Sequence, residues 1–204
     1  MAEEKRVAGV PTGVIAFLPW IVFGVASGFN HWRVATSGGL ILCLVYLAVL
    51  IRRRVSIKLM DWTVLTFFAI ASVLTVGLGS TTFPTYNAVV VWTCFASAAW
   101  GSVLIRRSFT AVYARESAPP EFWHHPIFLR LNLIMTLVWC GLTTVNIGIA
   151  MTGVVIGGLF GRVALGFGLP MALLMSGFIF NRRFPSRFLA RAGFQVPATS
   201  APAA

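Results

Sequence analysis

The side chains best suited to chemistry are gathered in one stretch of this sequence, residues 106–130. The stretch reads RRSFTAVYARESAPPEFWHHPIFLR and combines cations, histidines and aromatic rings. Glu121 and His124 stand three residues apart, a spacing that can supply two metal ligands from one helical turn. Because that spacing occurs once and prolines directly precede it, we predict no metal site here.

The same stretch has the pattern of an amphipathic segment. Phe109, Val112 and Tyr113 recur at helical spacing, with charged residues around them. We expect this segment to lie in the headgroup plane, with arginines near lipid phosphates; a specific lipid or partner site is the alternative. The candidate headgroup or partner contacts are Arg106, Arg107, Arg115, Glu116, Trp123, His124, His125 and Arg130.

No other constellation in the sequence predicts catalysis or a cofactor. The nucleophile-elbow, phosphate-loop, dinucleotide-binding and zinc-protease motifs are missing. The three histidines are His31, His124 and His125. No two of them lie in the interiors of two different spans, as two axial haem ligands would. An odd number of widely spaced cysteines argues against disulfides or zinc; these are Cys43, Cys94 and Cys140. We therefore predict no catalytic residue and no cofactor.

Polar groups inside apolar stretches are few. Asp61 lies close to Lys58 and to the arginines at 52–54, so we expect an interfacial ion pair. We expect Asn132 and Asn146 to form hydrogen bonds between helices. A proton-coupled carrier normally needs a buried carboxylate, and the sequence does not indicate one.

The composition predicts the elements that carry these residues. The chain has 204 residues, 58% of them hydrophobic and only 10% charged, and a mean hydropathy of +0.86. Such a chain lacks the polar residues that the surface of a soluble domain needs. We predict an all-α membrane protein with a single transmembrane domain over residues 11–183. A leader (1–10) precedes this domain, and a largely disordered tail (184–204) follows it. Its six spans are residues 11–29, 34–51, 59–79, 88–105, 126–151 and 159–180.

The basic residues predict the orientation. Fourteen of the 16 Lys and Arg residues lie in four groups at alternate connections, and only Arg33 and Arg162 lie elsewhere. The positive-inside rule then places both termini in the cytoplasm. The net charge of +11 would suggest nucleic acid in a soluble protein, but no aromatic-plus-basic groove motif accompanies it, so we predict no nucleic-acid binding.

Two further patterns concern helix packing. Leu104-Ile105-Arg106-Arg107 repeats Leu50-Ile51-Arg52-Arg53, which suggests three hairpins inserted in parallel, although similar stop-transfer signals would produce the same pattern. Glycines at four-residue spacing predict close helix packing inside the bundle, with partner binding as the alternative. They are Gly24 and Gly28, then Gly153, Gly157 and Gly161.

One part of the chain resembles a known group. The residues concerned are Ser108-Phe109-Thr110, Tyr113-Ala114-Arg115-Glu116, Phe122-Trp123, Pro126, Phe128, Arg130, Asn132, Thr136 and Trp139. They resemble small multi-pass bacterial inner-membrane proteins, a group distantly similar to the intracellular septation protein A family. The resemblance implies a bacterial inner-membrane location and a link to envelope organisation, without an established reaction.

These observations favour a non-enzymatic integral membrane protein that acts as a scaffold or accessory subunit. Its expected partners are the bilayer, anionic headgroups at the cytoplasmic face, and another membrane protein or a second copy. A small carrier or channel is the alternative. A lipid-modifying enzyme is a third, for which the candidate residues are Arg106, Arg115, Glu116, His124 and His125.

Overall fold

The structure, a computed structural model, describes residues 6–7, 10–11, 18–116 and 118–191. Two short strands, β1 (Arg6–Val7) and β2 (Val10–Pro11), pair antiparallel, and the rest of the described chain is mainly helical. The helices in these residues are α1 (Leu18–Gly28), α2 (Trp32–Arg52), α3 (Leu59–Gly77), α4 (Phe83–Leu104), α5 (Phe109–Ala114), α6 (Pro126–Ile156) and α7 (Gly158–Arg191). A 3-10 turn, Pro120–Phe122, lies between α5 and α6.

Five of these helices, α2, α3, α4, α6 and α7, are long and apolar enough to cross a membrane. Each has at least the roughly 18 residues that a bilayer core requires. Helix α1 is apolar but has 11 residues. The predicted first span also includes residues 12–17, which lie outside the described residues. The protein is therefore α-helical, with several helices suited to membrane crossing.

The last helix extends beyond residue 180, where the predicted sixth span ends. It continues to Arg191, so residues 184–191, expected in the disordered tail, are helical. Rings at four-residue spacing contact one another along this extension: Phe180 and Phe184 stack with centroids 4.6 Å apart, and Phe184 and Phe188 lie 5.5 Å apart. Such i, i+4 aromatic contacts stabilise a helix. Residues 192–204 lie outside the described residues.

The chain forms two compact units, Met1–Val90 and Val91–Ala204, and α4 begins in the first and ends in the second. Aromatic rings build the core of the first unit. Trp20 of α1 stacks on Phe67 of α3, with centroids 5.3 Å apart, and Phe23 meets Phe67 edge-on at 5.6 Å. The Phe68 ring packs directly on Gly39 of α2, where a side chain would collide with it. A glycine at position 39 therefore permits α2 and α3 to approach closely.

The second unit is organised around the hairpin of α6 and α7. Gly157 and Gly158 connect the two helices with φ values of +67° and +64°, a region that L side chains rarely adopt. Just beyond this turn the backbones touch, since a methyl group on Gly153 would lie 2.6 Å from the carbonyl oxygen of Gly161. Further along, Trp139 and Phe178 meet edge-on at 5.2 Å. The hairpin is thus closely packed at both places.

Both units contain a π-helical stretch near a helix terminus. In α3 it covers Val73–Gly77, and in α7 it covers Gly161–Gly168, just before Pro170. A proline removes one backbone donor and disturbs the preceding turn. Widened turns of this kind alter the direction of a helix and occur often near functional sites.

Candidate functional site

Helix α5 is attached to α6 by buried hydrogen bonds. It lies in the basic stretch, residues 106–130, that is predicted to contact headgroups or a partner. The Thr110 hydroxyl of α5 donates to the Asn132 carbonyl of α6 over 2.7 Å. It also lies 2.8 Å from the Thr136 hydroxyl, which is fully buried. Because each hydroxyl carries one hydrogen, Thr110 donates to Asn132 and accepts from Thr136. The loop is therefore held at a defined position on α6.

The side of α5 that packs inward differs from the predicted apolar face. Phe109, Thr110 and Ala111 are buried, whereas the Val112 side chain is 44% exposed. The helix has six residues, and the bond from Thr110 to α6 determines which side turns inward. Sequence periodicity could not identify that bond, because its partner lies 22 residues away.

A second set of contacts organises the end of this loop. The Arg115 guanidinium lies over the Trp123 ring, 5.6 Å from its centroid. The Trp123 indole nitrogen donates to the Ala118 carbonyl over 2.9 Å. His125 caps α6, since its Nδ1 accepts from the Ile127 backbone N–H over 3.2 Å. These three side chains, all part of the predicted site, thus contribute to the structure of the loop.

The remaining predicted contact residues are exposed. They are Arg106, Arg107, Glu116, His124 and Arg130. Arg106 lies two residues beyond the end of α4 and has a φ of +55°. Within the described residues, no group of three or more His, Cys, Asp or Glu side chains could hold a metal ion. The stretch thus presents exposed charges on an attached loop.

Asp61 acts in the structure as a helix cap. Its Oδ2 accepts from the Lys58 backbone N–H over 2.8 Å at the start of α3. A carboxylate in the first turn interacts favourably with the positive end of the helix dipole. Asp61 thus stabilises the N-terminus of α3.

The glycines predicted to pack helices occupy different environments. Gly153 and Gly161 form the contact between α6 and α7, while Gly157 forms the turn between them. A methyl group at Gly24 or Gly28 would meet no described atom within 4 Å. A glycine outside the predicted set, Gly177, lies at a close approach instead: its methyl would lie 2.7 Å from Leu142 Cδ1.

Two asparagines of α6 are buried, with different hydrogen bonding. Asn132 donates through Nδ2 to the Phe128 carbonyl over 2.9 Å, while its Oδ1 has no partner among the described residues. Asn146 is only 1% exposed, and neither its Nδ2 nor its Oδ1 has a partner in the described chain. The hydrogen bond predicted from Asn146 to another helix is therefore not formed within the described residues. A buried amide without a partner is costly and calls for an explanation.

The first unit contains a cavity that the sequence reasoning did not identify. It is open to the outside, has a volume of about 550 Å³ and lies at the N-terminus of α2, beside the connection between α3 and α4. Arg33 and His31 contribute its charged or ionisable side chains. The position of Arg33 outside the four basic groups is the one sequence signal that could have indicated this site.

Two regions thus contain residues suited to binding. They are the attached basic loop of the second unit and the cavity of the first. One presents exposed cations on a surface, and the other places a guanidinium at a concave site. Comparison of the chain with protein-family models, curated proteins and solved structures finds no match.

Proposed function

We propose that this chain is a non-enzymatic integral membrane protein that acts as a scaffold or accessory subunit of a membrane or envelope assembly. The observation that carries the proposal is the attachment of the basic loop to α6. Thr110, Asn132 and Thr136 hold the loop by buried hydrogen bonds at 2.7 and 2.8 Å. A charged surface that is already ordered loses less conformational entropy when it binds.

The exposed arginines are the groups that such a surface would use. Arg106, Arg107 and Arg130 are exposed, and Glu121 and Glu116 are the acids of the described stretch. This excess of cations suits an acidic segment of a partner protein or anionic headgroups. Within the proposal, the stretch lies at the cytoplasmic interface of a six-span protein whose termini are both inside.

Other features support the finer parts of this proposal. The proposal includes a sixth span that contains α1. Its support is that α1 is apolar and that residues 12–17 of the sequence include Val14, Ile15 and Phe17. The resemblance of the loop and of α6 to small proteins distantly similar to septation protein A favours the bacterial inner membrane. The same resemblance favours a role in envelope organisation.

Photo-crosslinking in native membranes tests the proposal. A photoreactive amino acid at position 107, in the basic loop, should yield an adduct with a second protein chain. The matched position is 155, near the α6–α7 turn, where Val155 is 80% exposed and no cluster of cations surrounds it in sequence. Native mass spectrometry after detergent extraction should retain the same partner. Cross-linking to lipid alone at position 107, together with a lone monomer, would overturn the proposal.

One observation favours a small carrier or channel as the second candidate. Asn146 lies deep within α6, and its buried amide has no protein partner in the described chain. An amide of this kind could contact a polar solute or water during transport. Flux of polar solutes into proteoliposomes, compared between the wild type and Asn146→Leu, would test this. Equal flux in both proteins, at the level of empty liposomes, would eliminate the carrier.

A further inference from the structure

The cavity of the first unit is formed where two long helices begin. Helix α2 starts at Trp32 and α4 at Phe83, and the two rings meet edge-on with centroids 6.1 Å apart. Trp32 is itself positioned by a 2.8 Å hydrogen bond from its Nε1 to Asn30 Oδ1. Since the N-terminus of a helix carries a partial positive charge, both helix starts favour an anion nearby.

The shape of the cavity depends on the π-helical end of α3. Thr75 in that stretch lies 2.6 Å from the Thr36 hydroxyl of α2, and both side chains are buried. This contact fixes the end of α3 against α2. The chain then turns at Gly79, which has a φ of +60°. A methyl group on Gly79 would lie 3.7 Å from Nη2 of Arg33, so the guanidinium lies over this turn.

Arg33 contributes the one formal charge in the lining of the cavity. His31 adds an imidazole ring, and no acidic residue is part of the lining. Asp61 is the one acidic residue among the described residues of the first unit, and it lies near the other end of α3. Fourteen residues separate it from Thr75, which at 1.5 Å per residue is about 20 Å along the helix. Arg33 is therefore not neutralised by a described carboxylate nearby.

The cavity also offers several donors without acceptors. The first backbone bond at the start of α2 runs from Ala35 to the His31 carbonyl over 2.9 Å. The backbone N–H groups of Trp32, Arg33 and Val34 have no acceptor among the described residues, and His31 provides no side-chain cap. Ser80 Oγ accepts from the Phe83 N–H over 3.2 Å, which leaves its own hydrogen as a donor.

From these observations we propose that the cavity binds a phosphate group, provided by the headgroup of an anionic phospholipid. A guanidinium and free N–H groups at a helix start are the donors that phosphate oxygens prefer. The site lies at the ends of membrane-crossing helices, the depth at which headgroup phosphates are found. Its volume of about 550 Å³ is sufficient for a headgroup with its glycerol. Trp32 then provides an aromatic surface at the same depth.

Binding measurements on the full-length protein in neutral detergent test this proposal. The probes are short-chain phosphatidylglycerol, the diacylglycerol with the same chains and no phosphate, and inorganic phosphate. Calorimetry and native mass spectrometry should show binding of phosphatidylglycerol and weak or no binding of diacylglycerol. Arg33→Gln should weaken phosphatidylglycerol binding roughly tenfold or more, because a charge-assisted contact is lost. Arg33→Lys should give an intermediate value, because it retains the charge and loses the planar fork.

The matched control is Arg52→Gln. Arg52 is an exposed arginine at the opposite end of the same helix, so the variant makes the same change of charge away from the cavity. It should bind phosphatidylglycerol like the wild type, and thermal unfolding should be similar for all variants. If phosphate binds through Arg33 and phosphatidylglycerol does not, the phosphate site is supported and its lipid source is overturned. Equal losses in Arg33→Gln and Arg52→Gln, or equal binding of diacylglycerol, would overturn the proposal.

Discussion

Replacement of Thr110 by valine tests whether the basic loop is held by its buried hydrogen bonds. The variant removes the donor to the Asn132 carbonyl at 2.7 Å and the acceptor that lies 2.8 Å from Thr136 Oγ1. A buried hydrogen bond contributes about 1 kcal/mol net, and an orphaned buried group costs about 1–3 kcal/mol. Thr136 avoids that penalty, because its hydroxyl can donate to the Asn132 carbonyl four residues earlier in its own helix. We therefore expect a loss of about 1–2 kcal/mol, mainly in the attachment of the loop.

Hydrogen exchange measures that attachment directly. A loss of this size increases the open population of the loop roughly 5- to 30-fold. Backbone amides of residues 109–114 should exchange faster by the same factor in nanodiscs, while amides in the middle of α6 should change little. Thr152→Val is the control, because the Thr152 hydroxyl is exposed and donates only to Gly148 in its own helix. It should leave the loop unchanged.

The pairwise contact can be isolated with a double-mutant cycle. Thr110→Val and Thr136→Val together should show a coupling of about 0.6 kcal/mol, with about 1.7 kcal/mol as the upper end for hydrogen bonds between membrane helices. An exchange rate for residues 109–114 in Thr110→Val that stays within twofold of the wild type would refute this account. So would an equal acceleration in Thr152→Val.

Substitutions at four other positions should differ in their effect on stability, as measured by thermal unfolding in detergent. Gly153→Ala should destabilise the α6–α7 hairpin by about 1–3 kcal/mol, because its methyl would lie 2.6 Å from the Gly161 carbonyl oxygen. Gly148→Ala has open space, so it should be neutral or stabilising by up to about 1 kcal/mol, and a similar loss in both variants would contradict the packing argument. Asn146→Leu has the same branched shape and should be neutral or slightly stabilising, since an unpartnered buried amide is removed; a loss above about 2 kcal/mol would mean that the amide has a partner. Asp61→Ala should cost about 1 kcal/mol through loss of the helix cap, and Asp61→Asn, which retains an acceptor, should recover most of it.

Several features of the protein could be predicted from short stretches of sequence. The apolar runs predict the positions of α2, α3, α4, α6 and α7, because hydropathy is a local property that needs no knowledge of neighbours. The predicted start of the fifth span at Pro126 is also the start of α6. A proline favours the first turn, where its missing N–H costs nothing.

The contacts of the candidate sites depended on tertiary structure. The Thr36–Thr75 contact joins residues 39 apart in sequence, and Thr110 meets Thr136 across 26 residues. Whether such side chains meet depends on the rotation of each helix about its axis. In a soluble protein an apolar stripe reveals that rotation, but a membrane helix is apolar on most sides and shows little of it.

The sequence by itself therefore determined where the long apolar helices lie and where the cations gather. Tertiary structure decided that Thr110 attaches the basic loop to α6, and that Gly153, not Gly24, lies at a close backbone contact. It also decided that Arg33 contributes to a cavity with the turn at Gly79. The physical reason is the same in each case: composition determines which segments enter a membrane, and only packing determines which of their faces meet.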